Sequence, residues 1–213
     1  EALLDTVLAA AQSAPSKSDL QQYSIIVTRD PVKIAKVADW IGTMPWIKDA
    51  PVLLIFCGDM RRGQAACAQH GREHANNNMD TFLNTAVDAA LALGATISAA
   101  DAAGLGTCPI SYVRSHIEKV APLFALPKGV YPVAGLSLGW PTARNEVTPR
   151  LPPSVVIHRE AYSSAHEAEA ISAYDALRPR QKPRYPEIHG PASEGCTWSE
   201  NAARQLSVPE RAG

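Results

Sequence analysis

Arg150 is a side chain whose type and setting could serve to bind a phosphate. It follows Pro149 and precedes Pro152 by two residues, so the surrounding chain is expected to be extended. A guanidinium presents a planar fork of donors that matches two phosphate oxygens. An exposed arginine paired with a carboxylate would look the same in sequence. Arg150 therefore indicates a phosphate-binding site only if other binding residues accompany it.

A second candidate is the polar loop at residues 15–19, which offers hydroxyls, a cation and a carboxylate. Ser16, Lys17, Ser18 and Asp19 stand there between a predicted helix and a predicted strand. Loops held by a rigid scaffold commonly carry binding groups. A plain connecting turn explains the composition equally well.

Gly104 and Gly106 mark the end of a long helical pattern, where glycine often caps the helix. The spacing does not fit a G-x-G-x-x-G dinucleotide motif, because Pro109 occupies the last glycine position and no strand is predicted before it. Backbone N–H groups at residues 110–112 could instead donate to the edge of a ligand ring.

His70, Glu73 and His74 match the H-x-x-E-H pattern of one class of zinc peptidase. On a helix the two histidines would share a face and could ligate zinc, with Glu118 or Glu146 as a third ligand. A solvated loop or short helix is the competing interpretation. The chain contains no G-x-S-x-G elbow and no P-loop, and we predict no catalytic side chain.

Composition narrows the classes of function. The chain has 213 residues and a net charge of -1, which suits one domain or one subunit of a dimer and favours neither nucleic acid nor an anionic membrane as a partner. We see no apolar run approaching the roughly 20 residues of a membrane span and no signal peptide. The four cysteines form no C-x-x-C pair. Reduced thiols and a cytoplasmic location are therefore expected.

Hydrophobic periodicity predicts an α+β fold. Helical spacing covers residues 1–13, 31–41, 80–103, 114–126, 167–177 and 198–206, and strand patterns cover 23–28, 52–57, 132–138 and 154–158. Ser115 and Glu118 could form a capping box for the helix at 114–126. We expect a layered fold with a mostly antiparallel sheet of four or five strands. Residues 1–161 would form the core, and 162–213 an extended C-terminal arm with short helices.

Taken in order, these features resemble the FMN-dependent nitroreductase family, in particular its oxygen-insensitive NADPH nitroreductase and flavin reductase branch. The resemblance is carried by residues 14–21, 56–59, 104–106, 126–127, 135–141, 149–152, 158–162, 174–175 and 198–200. Among them are the runs Ala14-Pro15-Ser16-Lys17-Ser18-Asp19, Gly139-Trp140-Pro141 and Pro149-Arg150-Leu151-Pro152. Any single segment is unspecific, whereas the ordered set spans nearly the whole chain.

The resemblance implies a nitroreductase-like fold and an intertwined homodimer with two FMN sites at the subunit interface. The loop at residues 15–19 of one subunit would reach an FMN held mainly by the other. The residues that it implies as FMN-binding are Ser16, Lys17, Ser18, Asp19, Gln21, Met44, Pro109, Ile110, Ser111, Tyr112 and Arg150. Residues 109–112 would form a loop along the isoalloxazine, and Arg150 would contact the phosphate or ribityl end.

The chain departs from the family pattern at several positions. The branch usually has lysine where Thr148 stands, and glycines where Ser111 and Tyr112 stand. The family's Arg-x-Ser-x-Arg clamp would lie before Glu1. The loop that reads the NADPH phosphate corresponds to residues 187–195 and contains no arginine here. Arg184 or Arg204 could substitute, so NADH and NADPH both stay open as donors.

The implied activity is hydride transfer from NADPH or NADH, through bound FMN, to a nitroaromatic, quinone or flavin acceptor in a ping-pong cycle. The flavin would do the redox chemistry, and the protein would bind and orient it. Two alternatives stay open. One is a zinc hydrolase that uses His70, Glu73 and His74, and the other is a non-catalytic flavin-binding protein of the same fold.

Overall fold

The structure is a computed structural model, and it describes residues 1–143 and 146–208. In this part of the chain the strands are β1 (Tyr23–Thr28), β2 (Val52–Asp59), β3 (Gly106–Ile110) and β4 (Val130–Gly139). The helices are α1 (Ala2–Gln12), α2 (Pro31–Ile41), α3 (Arg61–Gln69), α4 (Met79–Ala102), α5 (Ile117–Leu123), α6 (Pro153–Val156), α7 (Glu167–Leu177), α8 (Pro186–His189) and α9 (Trp198–Leu206). Short 3₁₀ turns occupy Lys17–Asp19, Pro45–Asp49 and Ser111–Arg114.

The four strands form one sheet in the order β1-β2-β4-β3, and every neighbouring pair is antiparallel. This confirms the predicted α+β class and the antiparallel sheet. Strand β3 is a correction, because residues 106–110 were expected to be a helix cap followed by a loop. Pro109 lacks an N–H donor, which argues against a central strand but is tolerated here because β3 lies at the edge of the sheet.

Strand β2 is the centre of the fold, and each of its eight residues is buried. Successive side chains of a strand point to opposite faces of the sheet. Leu54 and Phe56 therefore enter one hydrophobic cluster, whereas Leu53, Ile55 and Cys57 enter the other. Complete burial of such a side chain typically contributes about 1.5–3 kcal/mol. A continuous apolar run, rather than an alternating one, is what a strand covered on both faces requires.

Helix α2 covers one face of the sheet with Ile34, Val37 and Ile41. Its start follows from the sequence, since the Asp30 carboxylate accepts a hydrogen bond from the Val32 N–H at 2.9 Å and Pro31 occupies the first helical turn. The 3₁₀ turn Ser111–Arg114 and helix α5 extend the same cluster.

Helices α1 and α4 cover the other face. Leu4 and Val7 of α1 pack with Ala89, Ala92 and Ala100 of α4 against the sheet. Small side chains such as Ala89 and Ala92, which are fully buried, let α4 pack closely on the sheet.

By length and composition, α4 is the one described helix that could cross a membrane, with 24 residues and a mean hydropathy of 1.3. This modifies the expectation that no apolar segment approaches that length. Because Ala89 and Ala92 of α4 are fully buried against the sheet, we describe it as a core helix. Its opposite side exposes large apolar side chains, namely Met79, Leu83, Val87 and Leu91.

Two predicted elements were wrong. The helix expected at residues 114–126 is a 3₁₀ turn followed by the shorter α5, whose N-cap is His116 without a side-chain hydrogen bond. The capping box of Ser115 and Glu118 is therefore absent from this helix start. The strand expected at 154–158 is instead the short helix α6. Pro153 at the first helical position favours a helix start over a strand.

The chain divides into two compact units, residues 1–144 and 145–212. The second unit contains α6 to α9 and an isolated antiparallel bridge between Gln181 and Cys196. In this unit the Tyr174 and Trp198 rings meet edge to face, with centroids 5.8 Å apart. The composition-based division at residue 161 stays a prediction, and residues 209–213 of the expected arm lie outside the described residues.

Candidate functional site

The polar loop before β1 holds an unusual backbone conformation. Ser18, Asp19 and Gln21 all have positive φ, at 51°, 57° and 49°. Side chains disfavour this left-handed region, and each such residue typically raises the free energy by about 1–3 kcal/mol. The side chains of residues 17–21 are exposed. Contacts from elsewhere in the fold must therefore stabilise this arrangement.

Asp88 of α4 supplies one of these contacts. Its carboxylate accepts hydrogen bonds from the backbone N–H groups of Lys17 at 2.9 Å and Gln22 at 3.1 Å. The residue is only 1% exposed. Both ends of the loop are thus attached to one buried side chain.

Arg62 supplies another contact from the start of α3. Its guanidinium donates to the carbonyl oxygens of Gln21 and of Tyr23, the latter at 3.0 Å, and to the Ser24 hydroxyl at 3.1 Å. The Asp59 carboxylate lies 3.5 Å from the same guanidinium. Burial raises the pKa of Tyr23, while Arg62 opposes that rise and Asp88 adds to it.

The second group of predicted site residues lies where β3 ends. Pro109 and Ile110 belong to the strand, and Ser111 and Tyr112 begin the 3₁₀ turn, so these residues are not the loop expected from the resemblance. The Ile110 side chain is fully buried in the core, which leaves only its backbone for a ligand. Tyr112 is half-buried and packs on the same cluster as Met44.

The two groups lie at different levels along the sheet and contact opposite faces. Tyr23, which starts β1, pairs with Gly58 near the end of β2, whereas Ile110, which ends β3, pairs with Gly135 of β4, and Gly135 lies opposite Ile55 in the middle of β2. The loop before β1 contacts α4 on one face, whereas Tyr112 and Met44 pack on the α2 face. Because β1 and β3 are the two edges, three strand spacings of roughly 4.8 Å separate them.

Arg150 belongs to the second unit, where it is exposed. Its guanidinium donates to the carbonyl oxygen of Thr148 at 2.7 Å. The Tyr174 hydroxyl donates to the carbonyl oxygen of Pro149 at 2.8 Å and so holds the adjoining backbone. Sequence analysis did not predict this role for Tyr174.

The loop at residues 187–195 is fastened by arginines that point into its own unit. Arg204 donates to the Gly190 carbonyl at 2.9 Å and to the Glu200 carboxylate, and its side chain is 12% exposed. These bonds use three of the five N–H donors of the guanidinium. The suggestion that Arg204 replaces a phosphate-reading arginine stays a prediction. The backbone N–H of Arg184 donates to Asn201.

The zinc alternative fails on geometry. Helix α3 ends at Gln69, so Glu73 and His74 lie beyond it and the pattern does not share a helix face. Among the described residues no group of histidine, cysteine and carboxylate side chains could hold a metal ion.

The four cysteines form no disulfide in the structure, and Cys57 lies in the buried strand β2. Burial, with a contribution from Asp59, raises the pKa of Cys57 to about 12. The described site residues can thus bind and orient a ligand through charge, hydroxyls and backbone groups. Sequence analysis missed Asp88, although a lone carboxylate inside an apolar helical stripe was a usable signal.

Comparison with known proteins identifies the family of the chain. The model of the nitroreductase family matches residues 1–140, and the model of the family's C-terminal domain matches residues 148–213. The NAD(P)H FMN reductase of Bacillus subtilis (strain 168) is 37% identical over 203 residues, covering 94% of this chain and 80% of that protein. The oxygen-insensitive NADPH nitroreductase of Salmonella typhimurium is 32% identical, covering 99% of this chain and 84% of that protein.

Solved structures extend the agreement to the fold. NfrA2 of B. megaterium matches with a TM-score of 0.86 and 33% identity, over 97% of this chain and 82% of that one. The two family models together cover most of the chain, the two relatives are more than 30% identical to it, and the fold is shared. The chain belongs to the nitroreductase family.

Proposed function

We propose that the protein is an NAD(P)H-dependent oxidoreductase that uses FMN to reduce nitroaromatic, quinone or flavin acceptors. The observation that carries this proposal is its 37% identity, over 94% of the chain, to a protein named as an FMN reductase. Unlike a hydrolase, this activity requires no nucleophile or metal, and the described site residues offer only binding groups.

The residues fit an anionic, planar cofactor. Lys17 and Arg150 are exposed cations, and the Ser16 and Ser18 hydroxyls lie in a loop whose backbone is fixed. Redox chemistry between a reduced nicotinamide and an acceptor is what bound FMN supplies. The protein's part is to place positive charge near the phosphate and to hold the ring system against backbone donors.

We keep every residue implied by the resemblance as an FMN-binding residue. The loop before β1 contributes Ser16, Lys17, Ser18, Asp19 and Gln21. The rest of the FMN site is formed by Met44, Pro109, Ile110, Ser111, Tyr112 and Arg150, with Ile110 binding through its backbone.

We further propose that the site is completed by a second copy of the chain. The loop before β1 and the group at the end of β3 lie on opposite faces of one sheet, so one protomer alone does not bring them together around a flat ligand. An apolar strip of α4, formed by Met79, Leu83 and Val87, is 45–76% exposed and is available for self-association. The small-molecule acceptor would enter the resulting pocket. Four free thiols support a cytoplasmic location.

Purified protein loaded with FMN tests the activity directly. We expect flavin absorbance bands, tight retention of FMN on gel filtration, and steady oxidation of NADH or NADPH in the presence of a quinone. Parallel assays with the two nicotinamides would measure the donor preference. Flavin binding without turnover would favour the non-catalytic alternative, and a chain that cannot be loaded with FMN would refute the proposal.

A further inference from the structure

We propose that Asp88 is a positioning residue that holds the loop at residues 16–21 in the shape required to retain FMN. This inference rests on the proposed function and assigns a role to a side chain that would not itself touch the cofactor. It derives from the path of the loop, its strained backbone and the burial of the carboxylate.

The carboxylate of Asp88 joins two points of the chain that lie five residues apart. One oxygen accepts from the Lys17 N–H at 2.9 Å, and the other accepts from the Gln22 N–H at 3.1 Å. Asp88 is 1% exposed, so water does not compete for these bonds. Hydrogen bonds to an ionised acceptor are typically about twice as strong as neutral ones.

The loop between these points has little else to stabilise it. Ser18, Asp19 and Gln21 adopt left-handed backbone angles, which raise the free energy of the observed loop conformation. Leu20, the apolar residue of the segment, is 56% exposed and does not anchor it in the core. The side-chain bonds inside the loop, from the Gln21 N–H to the Ser16 hydroxyl and from the Gln21 amide to Asp19, are exposed to solvent. Backbone bonds inside the loop, such as that from the Leu20 N–H to the Lys17 carbonyl at 3.0 Å, do not attach it to the rest of the fold.

Arg62 fastens only the C-terminal end of the loop, through the Gln21 carbonyl. Without Asp88, the N-terminal end of the loop at Lys17 would lose its hydrogen bond to α4, and the backbone N–H groups of Lys17 and Gln22 would lack their acceptor. Relaxation of the strained residues would then move the Ser16 and Ser18 hydroxyls and the Lys17 ammonium. The predicted consequence is weaker FMN retention although no FMN-contacting side chain has changed.

Variants of the chain can test this role. Asp88→Asn keeps the shape and one good acceptor, and Asp88→Ala removes both acceptors. Asp80→Asn is the matched control, because Asp80 is an exposed carboxylate of the same helix whose hydrogen bond, at 2.9 Å, comes from the nearby Asn84 side chain. Circular dichroism would establish which variants fold, and Asp88→Asn keeps the test valid if Asp88→Ala does not.

Two measurements on FMN-free protein report the loop itself. We expect amide hydrogen exchange at Lys17 and Gln22 to accelerate about tenfold in Asp88→Asn. Tryptic cleavage after Lys17 should accelerate by a similar factor, while exchange in β2 and cleavage after the other lysines stay unchanged. Asp80→Asn should behave as the unmodified protein does. Unchanged loop exchange, or a uniform increase throughout the sheet, would overturn the positioning role.

Titration with FMN, followed by quenching of its fluorescence, reports the consequence for the cofactor. We expect Kd to rise about tenfold in Asp88→Asn and further in a folded Asp88→Ala, with no change in Asp80→Asn. Faster amide exchange in the loop together with an unchanged Kd for FMN would overturn the proposal that the loop conformation controls flavin retention. If the unmodified protein binds no FMN, the proposed function fails, and this inference fails with it before any variant is compared.

Discussion

Arg150 presents an exposed guanidinium whose hydrogen bond in the structure reaches only two residues back, to the Thr148 carbonyl. Replacing it should therefore leave the fold unchanged. If Arg150 contacts the phosphate end of FMN, Arg150→Ala removes a charge-assisted interaction, and the Kd for FMN should rise by about ten- to a hundredfold. Fluorescence titration measures the Kd, and a thermal melt measures stability.

Arg159→Ala is a suitable control for that experiment, since Arg159 is also an exposed arginine of the second unit. It should alter neither the FMN affinity nor Tm. An Arg150→Ala protein that retains FMN as tightly as its parent would contradict the phosphate role.

For single residues, the sequence shows the chemical type of each side chain but not which residues it contacts in the folded protein. Lys17 and Arg150 carry charges suited to a phosphate, and their type is visible at once. Asp88 and Tyr174 act by fixing backbone that lies 71 and 25 residues away. Such contacts arise only when the chain has folded, so their roles could not be predicted from spacing.

Among the helices, α7 and α9 are joined by a carboxylate. Asp175 of α7 accepts from the backbone N–H of Ser199 at 3.1 Å and from its hydroxyl, near the N-terminus of α9. Burial would raise the pKa of Asp175, but these hydrogen bonds from Ser199, together with those from Thr197 and Trp198, outweigh it and lower the pKa. The ionised form is therefore the one that stabilises the fold.

Asp175→Asn should lower Tm by a few degrees at pH 7, about 2–4 °C for a chain of this size. A lowered pKa contributes stability above the unfolded value of about 3.9, and this contribution disappears as pH falls through the folded value. The difference in Tm between parent and variant should accordingly shrink near pH 3. Thermal melts at pH 7, 5 and 3 measure this trend. A difference that is constant across the series would contradict the assignment.

Helices α2 and α4 could be predicted from periodicity, because each covers a face of the sheet. The patterns at residues 31–41 and 80–103 correspond closely to α2 and α4. Short elements were less predictable. Strand β3 contains a proline that only an edge position tolerates, and α6 has four residues, too few for any period to emerge.

For the whole molecule, a dimer assembled from two different variants, each weakened in FMN binding, can test whether each FMN site is formed by two chains. Lys17→Ala and Arg150→Ala should each weaken FMN binding when present in both subunits. In a mixed dimer with shared sites, one site carries both changes and the other carries neither. We therefore expect one FMN per mixed dimer to bind with the parent affinity.

Differently tagged subunits, co-expressed and purified through both tags, would supply the mixed dimer for titration. Light scattering should first confirm two chains per particle. If each site lay within one protomer, both sites of the mixed dimer would be defective, and no binding with the parent affinity would be seen.

Sequence resemblance implies an interface site, and the contacts of the two groups on opposite faces of the sheet support that proposal. Periodicity predicts the helix at residues 80–103, but it does not say which apolar residues meet the sheet and which remain exposed. Ala89 and Ala92 are buried against the sheet, while Leu83 and Val87 are exposed. Which side of α4 faces solvent thus depends on the tertiary arrangement.

If a second copy of the chain completes the site, as proposed, cofactor retention and subunit association become linked equilibria. Separation of the two chains would then open the pocket, and bound FMN would favour the assembled pair by mass action. Dilution should then release FMN from the protein, whereas excess flavin should protect the dimer against dissociation into single chains. The yellow colour of a sample would report its quaternary state as well as its cofactor content.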